Sequence, residues 1–204
     1  MFKLGVIAAT TIALLLAPQS LRLDNREAIT FFIDDGQGVP GYRASDRELA
    51  KLALDAWSRE SVGKLKFSEA KSADEAIIRF RWISPNQGLY GETERVQVKG
   101  KPGAVVYVMP QVSVQGEPLA SRAAQDNLLR ETIVYLTCVH ELGHAVGLQH
   151  TRKFEDIMYF FGYGGDIVDY FMRYRNKLKS RADIAKYSGL SGSDSEVLRG
   201  LYGK

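Results

Sequence analysis

The sequence predicts an α+β fold in one domain, built around a sheet and two long helices. Two observations predict the class. Short runs of β-branched and aromatic residues punctuate the first half, at 28–34, 64–69, 76–82 and 104–108. Two longer stretches, one beginning at Ser45 and one over 127–146, carry apolar residues at the 3.6-residue period of a buried helix face. A third observation predicts where the chemistry lies: the chain's only three histidines all fall between His140 and His150.

Composition sets the bounds. The chain has 204 residues, 45 % of them hydrophobic and 25 % charged, which suits one globular domain with a proper core. A net charge of +3 is too mild to call for a nucleic-acid partner. A single cysteine, Cys138, excludes an intramolecular disulfide and reads as a small core residue one turn before the histidines.

Taken in order, residues 1–20 read as a signal peptide. Lys3 precedes an apolar run over 4–17 that is short for a membrane span, so an uncleaved anchor, which would hold the chain at a membrane, is the alternative. Residues 28–34 (AITFFID) form a strand, followed by a loop over 35–41. Ser45 and Glu48 predict a capping box, and Leu49, Leu52, Ala53, Ala56 and Trp57 form the buried stripe of the helix it opens. In the strand over 76–82, Ile78, Phe80 and Trp82 face one way and Arg79 and Arg81 the other. Residues 85–103 are polar and glycine-bearing and read as a loop, and 104–108 (AVVYV) as a short strand ended by Pro110. The helix over 127–146 follows, with Ile133, Leu136, Thr137, His140 and His144 on one face.

His140 and His144 stand four apart, so both rings can point at one ion. A third ligand one turn further along the same straight helix could not close a tetrahedron. Gly147 stands where the chain must turn back, and glycine enters positive φ without steric cost. His150 is then delivered from beyond the bend. Three nitrogen ligands suit zinc, and three rather than four protein ligands mark a catalytic site. Glu141 follows the first ligand directly, where its carboxylate lies near the metal without ligating it.

His140-Glu-Leu-Gly-His-Ala-Val-Gly-Leu-Gln-His150 resembles the HExxHxxGxxH motif of the metzincin zinc proteases. Asp156-Ile157-Met158-Tyr159 is similar to the Met-turn of the matrixins, and residues 190–203 resemble the helix that closes a matrixin catalytic domain. The resemblance implies a zincin-like fold: a twisted mixed sheet with two long helices (21–147) and a smaller C-terminal subdomain (148–204) below the active-site cleft. It implies a secreted, monomeric zinc endopeptidase acting on extended protein or peptide substrates. One catalytic Zn2+ would be held by His140, His144 and His150. Glu141 would be the general base, and Met158 an apolar floor that is not a ligand. It also implies that the strand over 104–108 lines the cleft as an edge strand, with Val105, Val106 and Tyr107 binding substrate; the alternative is an ordinary strand covered by the preceding loop. Tyr163 and Tyr107 have no assigned role.

Two departures from the family pattern carry expectations. No histidines exist outside the motif, so the structural zinc of matrixins is not expected; calcium stays open, with Asp34 and Asp35 the one acidic pair in the early loops. An inserted segment at about 160–189 separates the Met-turn from the closing helix. Within it, Ile167, Val168, Tyr170, Phe171, Tyr174 and Leu178 mark one side of a helix over 166–178 whose basic residues include Arg173, Arg175 and Lys177. That helix packs on the body, borders the substrate's primed side, or lies on a membrane surface. The rival functions are a catalytically silent zinc-binding recognition module and a zinc exopeptidase acting on short peptides.

Overall fold

The computed structural model describes residues 22–85 and 90–203; the signal peptide read at 1–20 lies outside the described residues. Strand β1 (Ile29–Ile33) buries Ile29, Phe31 and Ile33 and turns Thr30 and Phe32 toward the other face. Helix α1 (Asp46–Glu60) follows, burying Leu49, Ala53, Ala56 and Trp57 as its spacing predicts. Its capping box is absent. Ser45 already has helical backbone angles and makes no side-chain cap. Asp46, the next residue, organises this end instead: its carboxylate accepts from the Arg43 N–H at 2.9 Å and pairs with Arg130 in the core.

Strands β2 (Phe67–Glu69) and β3 (Ile78–Trp82) come next, with Ile78, Phe80 and Trp82 buried and Arg81 exposed. The region read as a loop then departs from expectation. It contains β4 (Gly91–Val98), an eight-residue strand paired antiparallel with β5 (Lys101–Val108). Lys99 and Gly100 join them with φ of 51° and 78°. Two consecutive positive φ values make the type I′ turn that matches the twist of a two-residue hairpin. The sheet runs β2-β1-β3-β5-β4, parallel except for β4.

This order corrects the assignment of the edge. Strand β5 is bonded to β3 on one side and to β4 on the other, so it offers no free backbone to a substrate. Val105 and Val106 are buried, and the Tyr107 hydroxyl donates to Glu94 at 3.1 Å. The edge belongs to β4, whose exposed Glu92, Glu94 and Gln97 suit a strand with one side open to water.

A short helix α2 (Leu119–Gln125) leads into α3 (Asn127–Ala145), capped by Asp126, which accepts from the N–H groups of Leu128 and Leu129 at 3.0 and 3.1 Å. Helix α3 packs on β4, β5 and α1, and the Trp57 indole donates to the Val139 carbonyl at 2.9 Å. Cys138 is fully buried here, and burial pushes its thiol well above the usual range, so it stays protonated and inert. Beyond α3, the inserted segment forms α4 (Ile167–Arg175), capped by Asp166 and packed on α3, where the Tyr174 ring meets Tyr135 at 5.5 Å between centroids. Its basic residues are partly engaged: Arg175 pairs with Asp126 at 2.7 Å, and Arg173 stacks on Phe154 and Tyr170. Helix α5 (Gly192–Tyr202) closes the chain behind a capping box of Ser191 and Asp194. Its Tyr202 hydroxyl donates to the Val146 carbonyl and accepts from the Leu23 N–H, tying both ends of the described chain to the end of α3. Among the described residues, no helix is long and apolar enough to cross a membrane.

Candidate metal centre and active site

The site begins with how α3 ends. The Leu148 N–H reaches back to the Gly143 carbonyl at 2.9 Å and the Gly147 N–H to the His144 carbonyl at 3.1 Å. With Gly147 at φ 110°, this is a Schellman stop, the turn that the glycine predicts. Helix stacking supplies His140 and His144, and the reversed chain brings His150 to meet them. The His150 Nε2 lies 3.3 Å from His140 Nε2 and 3.1 Å from His144 Nε2.

The other ring nitrogens fix the tautomers. His140 Nδ1 lies 2.6 Å from the Ile157 carbonyl and His144 Nδ1 3.1 Å from the Leu148 carbonyl. A carbonyl only accepts, so each Nδ1 carries the proton and each Nε2 presents a lone pair inward. Burial pushes His140 down to about 3 and lowers His144 and His150 as well, which keeps the rings neutral. Inward-facing lone pairs about 3 Å apart repel one another unless a cation lies between them. Tetrahedral zinc with nitrogen ligands at ~2.0–2.1 Å separates those ligands by roughly 3.3–3.4 Å, so the donor set fits that ion in spacing and chemistry. Among the described residues this is the one cluster of three metal-binding side chains. Asp34 faces Arg81 at 3.5 Å, and Asp35 accepts from the Gln37 N–H at 3.0 Å.

The segment read as a Met-turn lies beneath. Met158 is fully buried, with its sulfur filling the place where a side chain on Gly143 would stand. The turn is clamped twice: the Thr151 N–H donates to the Met158 carbonyl, and the Ile157 N–H donates to Asp194 Oδ2 at 2.8 Å. The Tyr170 hydroxyl of α4 also donates to the Ile157 carbonyl, at 3.1 Å, so the inserted segment supports the group that orients His140. Phe160 stacks on the His150 ring at 4.8 Å between centroids. Tyr163 stands at the rim, half exposed, against Phe160 and Arg152.

Glu141 points toward β4, and its contacts there carry no local sequence signal. The Thr93 hydroxyl lies 2.8 Å from the Glu141 carbonyl and 2.9 Å from its Oε2. A methyl group on Gly91 would sit 2.7 Å from Glu141 Cγ, so only glycine lets the strand come this close. The Arg95 guanidinium donates to the His144 carbonyl. Burial pushes the Glu141 carboxyl up to about 7, against the opposing pull of the Thr93 hydrogen bond. A cleft of about 720 Å³ opens between β4 on one side and the segment after Met158 on the other. Part of its lining is apolar, made by Leu136, Ile167 and the contacting rings of Tyr90, Phe171 and Tyr170.

A family model described as matrixin matches residues 23–166 and so takes in every ligand, Glu141 and the Met-turn. The match stops at the cap of α4. Among solved structures, archaemetzincin from Methanopyrus kandleri is 15 % identical with a TM-score of 0.46, covering 93 % of this chain and 100 % of its own. Myroilysin is also 15 % identical, with a TM-score of 0.48, covering 91 % of this chain and 97 % of its own. No curated protein gives a significant match. A chain matched over that span belongs to the matrixin family, of the metzincin class of zinc metallopeptidases.

Proposed function

We propose that the protein is an endopeptidase that cleaves internal bonds of extended polypeptides, with Glu141 as its general base. The observation that carries this reading is the position of β4: a sheet edge that runs beside the three histidines and touches Glu141. An exposed edge offers unpaired N–H and C=O groups, and an extended peptide can pair with them as a further strand. Such pairing grips main chain in the middle of a polypeptide and asks for no free terminus. A substrate paired antiparallel to β4 would point its C-terminal half toward Tyr90 and the apolar part of the cleft, which suits a bulky hydrophobic side chain there.

His140, His144 and His150 would hold the zinc ion, which when bound polarises the scissile carbonyl and acidifies water. Glu141 would take the proton of the attacking water and deliver it to the departing amine nitrogen. General acid–base help of this kind contributes roughly 10²–10⁴ in rate. Water-poor surroundings strengthen a buried carboxylate as a base, and Glu141 is 6 % exposed. Lys3 and the apolar run after it support export, so we place this activity outside the cytoplasm. N-terminal sequencing of the exported protein would check that placement by finding a start near residue 21.

Product mapping tests the endopeptidase reading. A twelve-residue peptide blocked at both ends should be cut internally, giving two fragments by mass spectrometry that each keep one blocked end. Single residues released only from unblocked peptides would show an exopeptidase, and intact peptide beside bound zinc would show a recognition module.

A further inference from the structure

We propose that Thr93 is the positioning residue of Glu141, so that the strand that would hold the substrate also sets the place of the base. This rests on the reading of Glu141 as general base. Thr93 reaches Glu141 from 48 residues away in sequence, so the contact belongs to the tertiary fold rather than to the helix. Its hydroxyl has one proton and two acceptors within reach, the Glu141 carbonyl at 2.8 Å and Oε2 at 2.9 Å.

The donor is rigid for two reasons. Threonine is β-branched and stiff at χ1. Its backbone is also fixed in the sheet opposite Val106. The acceptor needs such a partner, because a helical glutamate has three side-chain torsions, and packing against Gly91 confines the Glu141 stem without directing its carboxylate oxygens. Alternation along β4 puts Gly91, Thr93 and Arg95 on one face. All three meet the turn of α3 that carries the ligands: Gly91 makes room for Glu141 Cγ, Thr93 holds the carboxylate, and Arg95 takes the His144 carbonyl. Thr93 is the middle contact and the one with a donor aimed at the carboxylate. A peptide paired to the outer edge of β4 is thereby registered against the strand whose inner face fixes the base.

The test uses the full zinc-loaded protein and an end-blocked peptide. Thr93→Val keeps the shape and removes the donor, and Thr93→Ser keeps the donor. Thr93→Val should lower kcat about tenfold, a part of the general-base contribution, with KM within about twofold, zinc content unchanged and Tm nearly so. Thr93→Ser should recover most of the loss, and in a Glu141→Ala background Thr93→Val should cost nothing more. Equal losses in Val and Ser, a loss confined to KM, or the same loss without Glu141 would each overturn the proposal. Crystals of the zinc-loaded proteins decide it without turnover: the Glu141 carboxylate should leave its wild-type position in Thr93→Val. A carboxylate that stays in place sinks the proposal. A carboxylate that moves in a protein that cleaves nothing upholds the positioning role and removes the endopeptidase reading instead.

Discussion

At Gly91 the edge strand and the catalytic helix come closer than any side chain permits. A Cβ there would stand 2.7 Å from Glu141 Cγ and 2.8 Å from the Tyr107 carbonyl oxygen. The glutamate chain can swing away but the backbone oxygen cannot, so Gly91→Ala should displace Glu141 or the strand. We expect kcat/KM to fall by at least about tenfold with zinc content unchanged, because a misplacement of an ångström at a reacting centre costs up to ~10²-fold. Wild-type rates in Gly91→Ala would show that this contact has no part in placing the base. Residues such as His140, Glu141, His144, Gly147 and His150 are legible in the sequence because helix periodicity and one glycine stop fix them locally. Gly91 and Thr93 are not, because they join the site across the fold and nothing in their immediate neighbours marks them.

Among the elements, β4 shows where pattern reading failed. GETERVQV lacks the β-branched and aromatic run of a buried strand, since an edge strand in contact with water favours charge. The overlooked signal was Lys99-Gly100, a two-residue turn between two stretches of equal length. The start of α1 failed differently. Ser45-x-x-Glu48 fits a local capping rule, but Asp46 is fully buried against Arg130, which is 5 % exposed and also bonds the Gly41 and Pro110 carbonyls. A long-range ion pair fixes that end of the helix, and local spacing cannot reveal it. Removing one partner leaves an uncompensated buried charge, so Arg130→Met should destabilise the fold by about 3–5 kcal/mol in urea unfolding. Adding Asp46→Leu should restore much of that loss. A single mutant as stable as wild type would contradict the structural role given to this pair.

Across the whole molecule, zinc and fold should depend on one another. The ligands come from α3 and from the chain beyond Gly147, and their orientation relies on carbonyls of Leu148 and Ile157, the latter also held by Tyr170 of α4. An ion that binds only the folded state at a hundred times its Kd adds about 2.7 kcal/mol of stability. Chelation should therefore lower Tm by several degrees, and restored zinc should return it. A Tm indifferent to chelator and zinc would mean that the three histidines do not bind the ion tightly in the folded protein. The α+β class and the placement of α3 were legible from periodicity, because those segments bury one continuous face. Periodicity marked the buried side of α4 but not what it covers, which includes the cleft wall at Ile167, Tyr170 and Phe171. The strand order was not, because it depends on which polar segment covers the sheet's edge.

The central claim is tested most directly by hydrolysis of an internally quenched, end-blocked peptide by the purified protein and by Glu141→Ala, with zinc measured in both. The account predicts one zinc ion per chain in each protein, internal cleavage by the wild type, and a loss of roughly 10²-fold or more in the mutant. Cleavage undiminished in Glu141→Ala, or a folded wild type that binds no zinc, would contradict it.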